Sequence, residues 1–398
     1  MIKRALQTTL TKIARSYPVV TLTGPRQSGK TTLVQTAFSG HDYASLEDPD
    51  VRSFALEDPR GFLSQYRGPV ILDEVQRAPD LFSYIQTIVD QGGSPGRFIL
   101  TGSQNFLLLR SISQSLAGRS AVLHLLPFSL SELLGRPAPP LSSIGQKLPP
   151  LKTPPQIDLM ETLFRGFYPR IHDKNLDPQQ WLRNYYRTYV ERDVREIVNV
   201  GDIESFSRFV RLCAGRNGQL LNLSSLGNDA GITHTTAKRW LSILEASFIV
   251  TLLRPYHHNF SKRLIKSPKL YFLDTGLLCY LLRIHSPESL QLNAMRGAIF
   301  ESYVLSELTK NALNRGDEPD LFFWRDSTGH EIDIVIELGE GSTALEVKSG
   351  QTIARDFFSG LRFWRELVGE SLAPAALVYG GDQSFEREGV TVYRWSDL

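Results

Sequence analysis

Short apolar runs alternate with helical patterns over the first third of the chain. Four of these runs, "YPVVTLTG", "PVILDEV", "RFILTGS" and "AVLHLLPF", have the length and composition of buried strands. Amphipathic stretches with helical spacing separate them, and the basic segment Met1–Ser16 is predicted to be one such helix. Alternation of this kind predicts a parallel sheet covered by helices, which is the α/β class.

The pattern changes after the proline-rich stretch "GRPAPPLSSIGQKLPPLKTPP", which spans residues 135–155 and predicts a linker or a long excursion. Helical periodicity follows up to residue 205. Two further helices are predicted at Leu223–Ala230 and Thr233–Ala246, with Gly231 at the turn and two short strands after them. This order predicts a winged helix-turn-helix module over residues 206–290.

Charged residues interrupt two apolar strands near the C-terminus, "HEIDIVIEL" and "ALEVKSG". Because side chains alternate between the faces of a strand, Glu346 and Lys348 share one face, as do Glu331 and Asp333. The preceding helical pattern "RGAIFESYVLSEL" carries Glu301. Carboxylates from a helix and two adjacent strands can converge on a divalent metal ion, with the lysine orienting or deprotonating water. The alternative is a pair of edge strands with solvated charges.

Composition narrows the function classes only a little. The 398 residues are 41% apolar and 22% charged, which suits two to four soluble domains, and the net charge is +2. The two cysteines have no metal-ligand spacing, which predicts a reducing compartment. No run is long and apolar enough to span a bilayer, and the first strand follows the basic N-terminus too closely for a removable leader. We therefore expect a cytoplasmic protein without a membrane partner.

A glycine-rich turn follows the first predicted strand. The run "TLTGPRQSGKTTL" contains the pattern G-x-x-x-x-G-K-[ST], in which backbone amides at a helix N-terminus cradle a triphosphate. Lys30 is predicted to reach the β- and γ-phosphates, and Thr31 to ligate Mg²⁺. The predicted nucleotide-binding residues of this loop are Gly24, Pro25, Arg26, Gln27, Ser28, Gly29, Lys30, Thr31 and Thr32.

Three later motifs extend the predicted nucleotide site. In "VILDEVQ", Asp73 is predicted to hold Mg²⁺ through water and Glu74 to polarise the attacking water. The strand "RFILTGSQN" would place a polar side chain beside the γ-phosphate, with Ser103 as the first choice and Asn105 as the second. In "SLAGRS", Arg119 is either a finger that completes a neighbouring subunit's site or a plain surface arginine.

By "TGPRQSGKTTL", "LDEVQ", "ILTGS" and "LAGR", the chain resembles prokaryotic AAA+ ATPases that carry a C-terminal domain of unknown function. The resemblance covers nearly the whole chain. It implies a P-loop AAA+ ATPase domain at residues 1–156, a helical lid at 157–205, the winged helix-turn-helix module at 206–290 and a further domain at 291–398. It also implies ATP and Mg²⁺ as ligands. An arginine finger would require a homo-oligomer, for which a hexameric ring is one form.

The order of Glu301, Asp333, Glu346 and Lys348 resembles the PD-(D/E)XK nuclease superfamily, whose domain is α/β and restriction-endonuclease-like. The resemblance implies a second divalent cation, Mg²⁺ or Mn²⁺, on the three carboxylates. No Pro-Asp pair precedes the strand, so either Glu331 or Asp333 could belong to the site, and Asp333 fits the superfamily position better.

Basic residues concentrate in the predicted winged module. Residues 206–269 contain ten lysines and arginines against two acids, which is the footprint of phosphate-backbone binding. The predicted DNA contacts are His234, Lys238, Arg239, Lys262 and Arg263. Winged modules also serve as protein contacts or as ATPase lids, so those interpretations remain open.

The resulting hypothesis is an ATPase that hydrolyses ATP to act on branched or broken DNA, with a metal-dependent nuclease as a second activity. The alternative is a nucleotide-dependent switch that binds DNA or protein through an inactive nuclease fold. Phosphodiester cleavage would depend on Glu301, Asp333, Glu346 and Lys348, whereas a switch would not need them.

Overall fold

The computed structural model describes residues 2–103, 115–146, 156–189, 203–256, 266–339, 341–369 and 373–398. The chain divides into two compact units. The first unit comprises residues 1–128, 246–248 and 313–317, and the second comprises residues 129–245, 249–312 and 318–398. Across the described ranges, no helix has the length and apolar character that a bilayer span requires.

A five-stranded parallel sheet forms the centre of the first unit, in the order β2-β3-β4-β1-β5. Its strands are β1 (Val19–Thr23), β2 (Asp42–Ser45), β3 (Val70–Asp73), β4 (Phe98–Gly102) and β5 (Ser120–His124). The parallel sheet and the four strands expected from apolar runs are confirmed. Strand β2 was missed because it is an edge strand in which only Ala44 is buried, so it lacks an apolar run.

Helices cover both faces of this sheet. They are α1 (Leu6–Ile13), α2 (Lys30–Ala37), α3 (Pro49–Glu57), α4 (Pro59–Ser64) and α5 (Leu81–Asp90). Val19 and Val20 are consecutive in β1 yet belong to different apolar clusters, as expected when successive side chains point to opposite faces. Leu6 and Leu10 of α1 are completely buried in the cluster of Val20, so the predicted N-terminal helix belongs to the fold.

The second unit is built on an eight-stranded mixed sheet in the order β12-β13-β11-β10-β9-β8-β6-β7. Its strands are β6 (Val250–Pro255), β7 (Lys269–Phe272), β8 (Leu321–Arg325), β9 (Glu331–Leu338), β10 (Gly341–Lys348), β11 (Ala375–Tyr379), β12 (Phe385–Arg387) and β13 (Val390–Arg394). Strands β8, β9 and β10 are antiparallel neighbours, whereas β11 runs parallel to β10 and to β13. This arrangement places β9 and β10, the two strands with charged faces, in the middle of the sheet.

Eleven helices of the second unit lie in the described part of the chain. They are α6 (Leu130–Leu133), α7 (Leu159–Arg165), α8 (Pro169–Asp173), α9 (Pro178–Tyr185), α10 (Ile203–Gly215), α11 (Leu223–Ala230), α12 (His234–Ala246), α13 (Thr275–Leu281), α14 (Pro287–Gln291), α15 (Arg296–Arg315) and α16 (Ser359–Val368). The last residues of α12 and of α15 fall in the ranges assigned to the first unit.

Helices α11 and α12 match the predicted helix-turn-helix pair. Gly231 between them has a φ of 74°, which is a left-handed conformation that glycine adopts without strain. Ala237, Trp240 and Leu241 are buried as the pattern predicted. Strands β6 and β7 pair antiparallel after them, and β6 also pairs with β8. The hairpin predicted as a wing is therefore part of the same sheet as the C-terminal strands.

Asp274 ties two helical segments of the second unit together. Its side chain is only 3% exposed, and it accepts one hydrogen bond from the backbone N–H of Leu277 and one from that of Phe167, both at 2.8 Å. Leu277 lies in the first turn of α13, so Asp274 is its N-cap, while Phe167 follows α7. One buried carboxylate thus satisfies two buried donors that are distant in sequence.

We predict that Asp274→Ala lowers the unfolding free energy of the second unit by about 2 to 4 kcal/mol, because two buried donors lose their acceptor. All five tryptophans of the chain lie in this unit, so urea unfolding followed by tryptophan fluorescence reports on it. The control is Asp158→Ala, which removes a single exposed N-cap bond at 2.8 Å and should cost about 1 kcal/mol. Equal losses of unfolding free energy in the two variants would contradict the role of Asp274 as the acceptor for two buried donors.

Candidate functional site

The predicted phosphate loop connects the end of β1 to the start of α2. Gly24 and Gly29 have φ values of 153° and 93°, and Gln27 is also left-handed at 64°. A Cβ on Gly24 would collide with the carbonyl oxygen of Leu125, so only glycine fits there. Since no side chain caps α2, its first amides are available to an anion. The other predicted loop residues, Pro25, Arg26, Ser28 and Thr32, lie in this turn or in the first turn of α2.

Lys30 lies folded against its own loop. Its ammonium donates to the carbonyl oxygens of Gly24 and Pro25, both at 2.9 Å, and the residue is 6% exposed. Burial lowers the pKa of Lys30 to about 8, although Glu74 and Asp73 counteract this. Nearby, the buried hydroxyl oxygen of Ser28 has no hydrogen-bond partner among the described residues. The buried ammonium of Lys30, the hydroxyl of Ser28 and the uncapped backbone amides of α2 are groups that can bind the phosphates of a nucleotide.

The carboxylate of Asp73 receives three hydroxyl groups. Thr31 and Tyr43 donate to its Oδ2 at 2.8 and 2.9 Å, and Thr101 donates to its Oδ1. The structure therefore brings together Thr31 and Asp73, the two residues predicted to hold Mg²⁺. A hydroxyl and a carboxylate oxygen are suitable ligands for this ion. Tyr43 was missed because its strand, β2, was not recognised in the sequence.

Glu74 is the residue after Asp73, and its backbone is left-handed, with a φ of 55°. Such a conformation is uncommon for a non-glycine residue and is frequently found at functional sites. Its Oε2 accepts from the amide of Gln76 at 2.5 Å and from the hydroxyl of Ser103 at 3.0 Å. Ser103 is thus placed beside the predicted water-polarising residue, while the second choice, Asn105, lies outside the described residues.

Arg4 contacts the loop and was not singled out from the sequence. Its guanidinium donates to the carbonyl oxygens of Ser28 and Leu126, each at 2.7 Å, and lies 4.8 Å from the ring centre of Phe128. Arg4 is 7% exposed although it is near the start of the chain. It ties the phosphate loop to the segment that follows β5, and no local motif signals this role.

Arg119 forms an ion pair with Asp90. Its Nε and Nη2 donate to the two carboxylate oxygens at 2.5 and 2.9 Å, and about a third of its side chain is exposed. This geometry is that of a surface ion pair within one chain. A role as a finger for a neighbouring subunit would require this pair to open.

The second unit brings the charged faces of β9 and β10 together. The strands pair antiparallel with Leu345 opposite Ile334, so Asp333 and Glu346 are neighbours on one face. The ammonium of Lys348 donates to Glu346 Oε2 at 2.6 Å and to Asp333 Oδ2 at 3.1 Å. The backbone N–H of Val347 donates to the same Asp333 oxygen at 2.8 Å.

Glu301 of α15 belongs to the same electrostatic cluster. Burial and the charge of Asp333 raise the pKa of Glu301 to about 7, while Lys269 and Lys348 act in the opposite direction. Its Oε2 accepts from the hydroxyl of Tyr271 at 3.0 Å. Burial and Asp333 also raise the pKa of Glu346 well above its usual value. The four residues predicted for the C-terminal site are therefore close enough to influence one another.

Glu331, the alternative to Asp333, has other partners. It forms ion pairs with Lys269 and with Arg325, the latter at 3.2 Å. Lys269 was counted among the basic residues of a DNA-binding surface, but it is 4% exposed, so that part of the prediction is wrong. The reason is that β7 lies inside the unit rather than on a separate wing. Lys269 and Tyr271 thus join the cluster from a strand that sequence reasoning assigned elsewhere.

A cleft of about 590 Å³ opens beside Asp333, Glu346 and Lys348. Its other walls come from the turn before β9 and the start of β9, and from α16 and the turn before it. They include Gly329, His330, Glu331, Asp356, Ser359, Gly360, Arg362, Phe363 and Glu366. A Cβ on Gly360 would collide with the carboxylate of Glu346, so this glycine lets α16 approach the cluster. In the described residues, no group of three or more His, Cys, Asp or Glu is arranged to hold a metal ion.

The helix-turn-helix pair exposes part of the predicted DNA-binding set. His234, Lys238 and Arg239 lie on the exposed side of α12. Lys262 and Arg263 lie outside the described residues. Elsewhere in the module, acids neutralise two arginines: Arg216 pairs with Asp229, and Arg208 with Glu204 at 3.2 Å. The positive surface of the described module is therefore smaller than the residue count suggested.

Models of known families match three successive parts of the chain. An AAA domain family matches residues 16–134, and a domain of unknown function, DUF4143, matches residues 296–398. Between them, a second domain of unknown function, DUF8612, matches residues 156–288. The protein Rv2008c of Mycobacterium tuberculosis is 33% identical over 371 residues, covering 92% of this chain and 78% of that protein.

The chain belongs to this family of proteins with an AAA domain and a C-terminal DUF4143 domain. A more distant relative, MJ1544 of Methanocaldococcus jannaschii, is 22% identical over 345 residues, or 81% of this chain and 73% of that protein. The first unit is accordingly an AAA-type P-loop ATPase domain, in agreement with its parallel sheet and its phosphate loop.

Solved structures with some similarity include a Walker-type ATPase and a RuvB variant. The Walker-type ATPase PABY2304 of Pyrococcus abyssi is 13% identical and covers 71% of this chain and 96% of its own, with a TM-score of 0.39. RuvB of Thermotoga maritima is 16% identical and covers 63% of this chain and 88% of its own, with a TM-score of 0.29.

We predict that the affinity for ATP declines above pH 8. The pKa of Lys30 is lowered to about 8, so the side chain loses its positive charge in the free protein as the pH rises. Above this pH, ATP binding must be accompanied by uptake of a proton by Lys30, which weakens the apparent affinity. The apparent Kd should then increase by up to about tenfold per pH unit between pH 8 and 10. Titration with a fluorescent ATP analogue measures this, and Lys30→Arg, which keeps its charge, is the control. A pH-independent Kd in the wild type would contradict the prediction.

Proposed function

We propose that this protein is a Mg²⁺-dependent ATPase that acts on DNA, and that its second unit cleaves phosphodiester bonds. The observation that carries the ATPase part is the convergence of the phosphate loop, Thr31, Asp73 and Glu74 at the ends of β1 and β3. The observation that carries the proposed cleavage of phosphodiester bonds is the bridge that Lys348 makes between Asp333 and Glu346 beside an open cleft.

In the proposed ATPase reaction, the open amides of the loop and Lys30 bind the β- and γ-phosphates. Lys30 exchanges its bonds to two loop carbonyls for bonds to phosphate, which stabilises its charged form. Thr31 and Asp73 would hold Mg²⁺, which neutralises charge on the phosphates when it is bound. Glu74 orients the attacking water, and Ser103 keeps its carboxylate in place.

We predict that Glu74→Gln lowers the ATP hydrolysis rate about 100-fold or more while ATP binding is retained, since an amide cannot accept the proton of water. Phosphate release measures the rate, and a fluorescent ATP analogue measures binding. Glu57→Gln, which changes an exposed glutamate of α3, is the matched control and should behave like the wild type. Full hydrolysis by Glu74→Gln would exclude Glu74 as the residue that activates water.

In the proposed nuclease reaction, Asp333, Glu346 and Glu301 would hold a divalent cation, and Lys348 orients the water or the scissile phosphate. Burial disfavours the charged form of Lys348, but Asp333 and Glu346 outweigh this and raise its pKa. A lysine that keeps its proton orients water rather than deprotonating it. Burial first and the charge of Asp333 second raise the pKa values of Glu301 and Glu346, and a bound metal ion would stabilise the charged forms of both carboxylates.

We predict that the protein cuts labelled linear, flap or four-way-junction DNA with Mg²⁺ or Mn²⁺, and that Asp333→Asn lowers this activity about 100-fold or more. Reactions with and without ATP show whether the two units are coupled. Glu337→Gln is the matched control because Glu337 lies on the same strand, β9, and is exposed. Cuts that persist in Asp333→Asn would come from a contaminant or from another site.

A nucleotide-dependent switch with an inactive nuclease fold is the second candidate. The observation in its favour is that Lys348 already neutralises the two strand carboxylates and that no metal-ligand group is preformed in the described chain. Under this alternative, no DNA is cut with any cation, while ATP hydrolysis and DNA binding through His234, Lys238 and Arg239 remain. The same cleavage experiment therefore separates the two candidates.

A further inference from the structure

The turn between β8 and β9 is held rigidly at the edge of the cleft. Asp326 is 2% exposed, and its Oδ1 accepts from the backbone N–H groups of Thr328 and His330 at 2.9 and 3.0 Å. The hydroxyl of Thr328 donates to the same oxygen at 2.7 Å. Because one buried carboxylate receives three donors, the backbone that presents His330 has little freedom to move.

The imidazole of His330 is fixed as well. Its Nδ1 lies 2.9 Å from the hydroxyl oxygen of Thr328 and 3.2 Å from Asp326 Oδ2. Its ring stacks on Phe363 of α16, with the centroids 3.9 Å apart and the planes 1° from parallel. The side chain of His330 is nevertheless 49% exposed. Phe363 thus covers one face of the imidazole, which leaves the opposite face as the side on which a planar ligand can stack.

These two rings line the same cleft as the carboxylate cluster. Five carboxylates line that cleft with only two permanently cationic side chains, Lys348 and Arg362; the acids are Glu331, Asp333, Glu346, Asp356 and Glu366. Lys269 and Arg325 pair with Glu331, but a phosphate chain in the cleft would still meet four other carboxylates against the two cations that line it unless a divalent cation were bound. An aromatic surface, by contrast, attracts a nucleobase independently of charge.

We propose that His330, supported by Phe363, is a stacking surface for one unpaired nucleobase of the strand that enters the cleft. The inference rests on the proposed nuclease function and specifies its substrate as a single-stranded or frayed segment. In a duplex, both faces of a base are covered by its neighbours, so a base can reach the open face of His330 only after it has left that stack. A flat, rigid support is favourable because little side-chain freedom is lost on binding.

The test uses the full chain and a single-stranded oligonucleotide that contains 2-aminopurine, whose fluorescence is quenched by stacking. With Ca²⁺ as the divalent cation, wild type should quench the fluorescence, and EDTA should abolish binding because the cleft is acidic. His330→Ala should remove the quenching and weaken binding about 5- to 150-fold. His330→Phe, which keeps a ring but no nitrogen, should retain both. His285→Ala, which changes an exposed histidine of the same unit, should match the wild type.

The outcomes separate the stacking surface from the nuclease. Equal quenching by wild type and His330→Ala, or a loss as large in His330→Phe as in His330→Ala, overturns the stacking role. Absence of quenching by wild type with both Ca²⁺ and Mg²⁺ overturns it too. If quenching depends on His330 as expected but no DNA is cut, the stacking surface stands and the nuclease proposal fails. If DNA is cut and His330→Ala cuts single strands as fast as wild type, only the stacking surface fails.

Discussion

A charge that is removed from water must be paired or hydrogen-bonded, since an isolated buried ion costs far more free energy than a fold can supply. Both candidate sites of this protein are arranged by that requirement. In the first unit, Lys30 is 6% exposed and Asp73 is 5% exposed; in the second, Glu346 is 5% exposed. Each of these groups has polar partners in the structure, and those partners determine where its side chain lies.

In the ATPase domain, these partners are the groups that the proposed nucleotide and Mg²⁺ would replace. Lys30 is bonded to two loop carbonyls, which are weaker partners than phosphate oxygens, and its lowered pKa shows that burial is incompletely offset. Asp73 is bonded to three hydroxyl groups, which a metal ion could replace or share. Arg4 holds the loop in place through its bonds to the carbonyl oxygens of Ser28 and Leu126.

In the second unit, the same requirement connects segments that look like separate modules in the sequence. Strand β7 follows the helix-turn-helix pair, yet its Lys269 neutralises Glu331 and its Tyr271 bonds to Glu301. The hairpin of the helix-turn-helix region and the C-terminal strands consequently share one sheet and one charge cluster. A molecule bound to α12 and a strand in the cleft would thus contact parts of a single unit.

The sequence by itself determined the features that depend on neighbouring residues. Strand alternation placed Glu346 and Lys348 on one face, and the glycine spacing marked the phosphate loop, because both follow from local backbone geometry. Only the tertiary structure showed that Asp333 bonds to Lys348 whereas Glu331 pairs with Lys269, since both lie on the same face of β9 and differ in what packs against them. It also revealed Arg4, Tyr43, Lys269 and His330. Their partners are brought to them by the fold or, for His330, by the geometry of a turn, and no local pattern encodes such contacts.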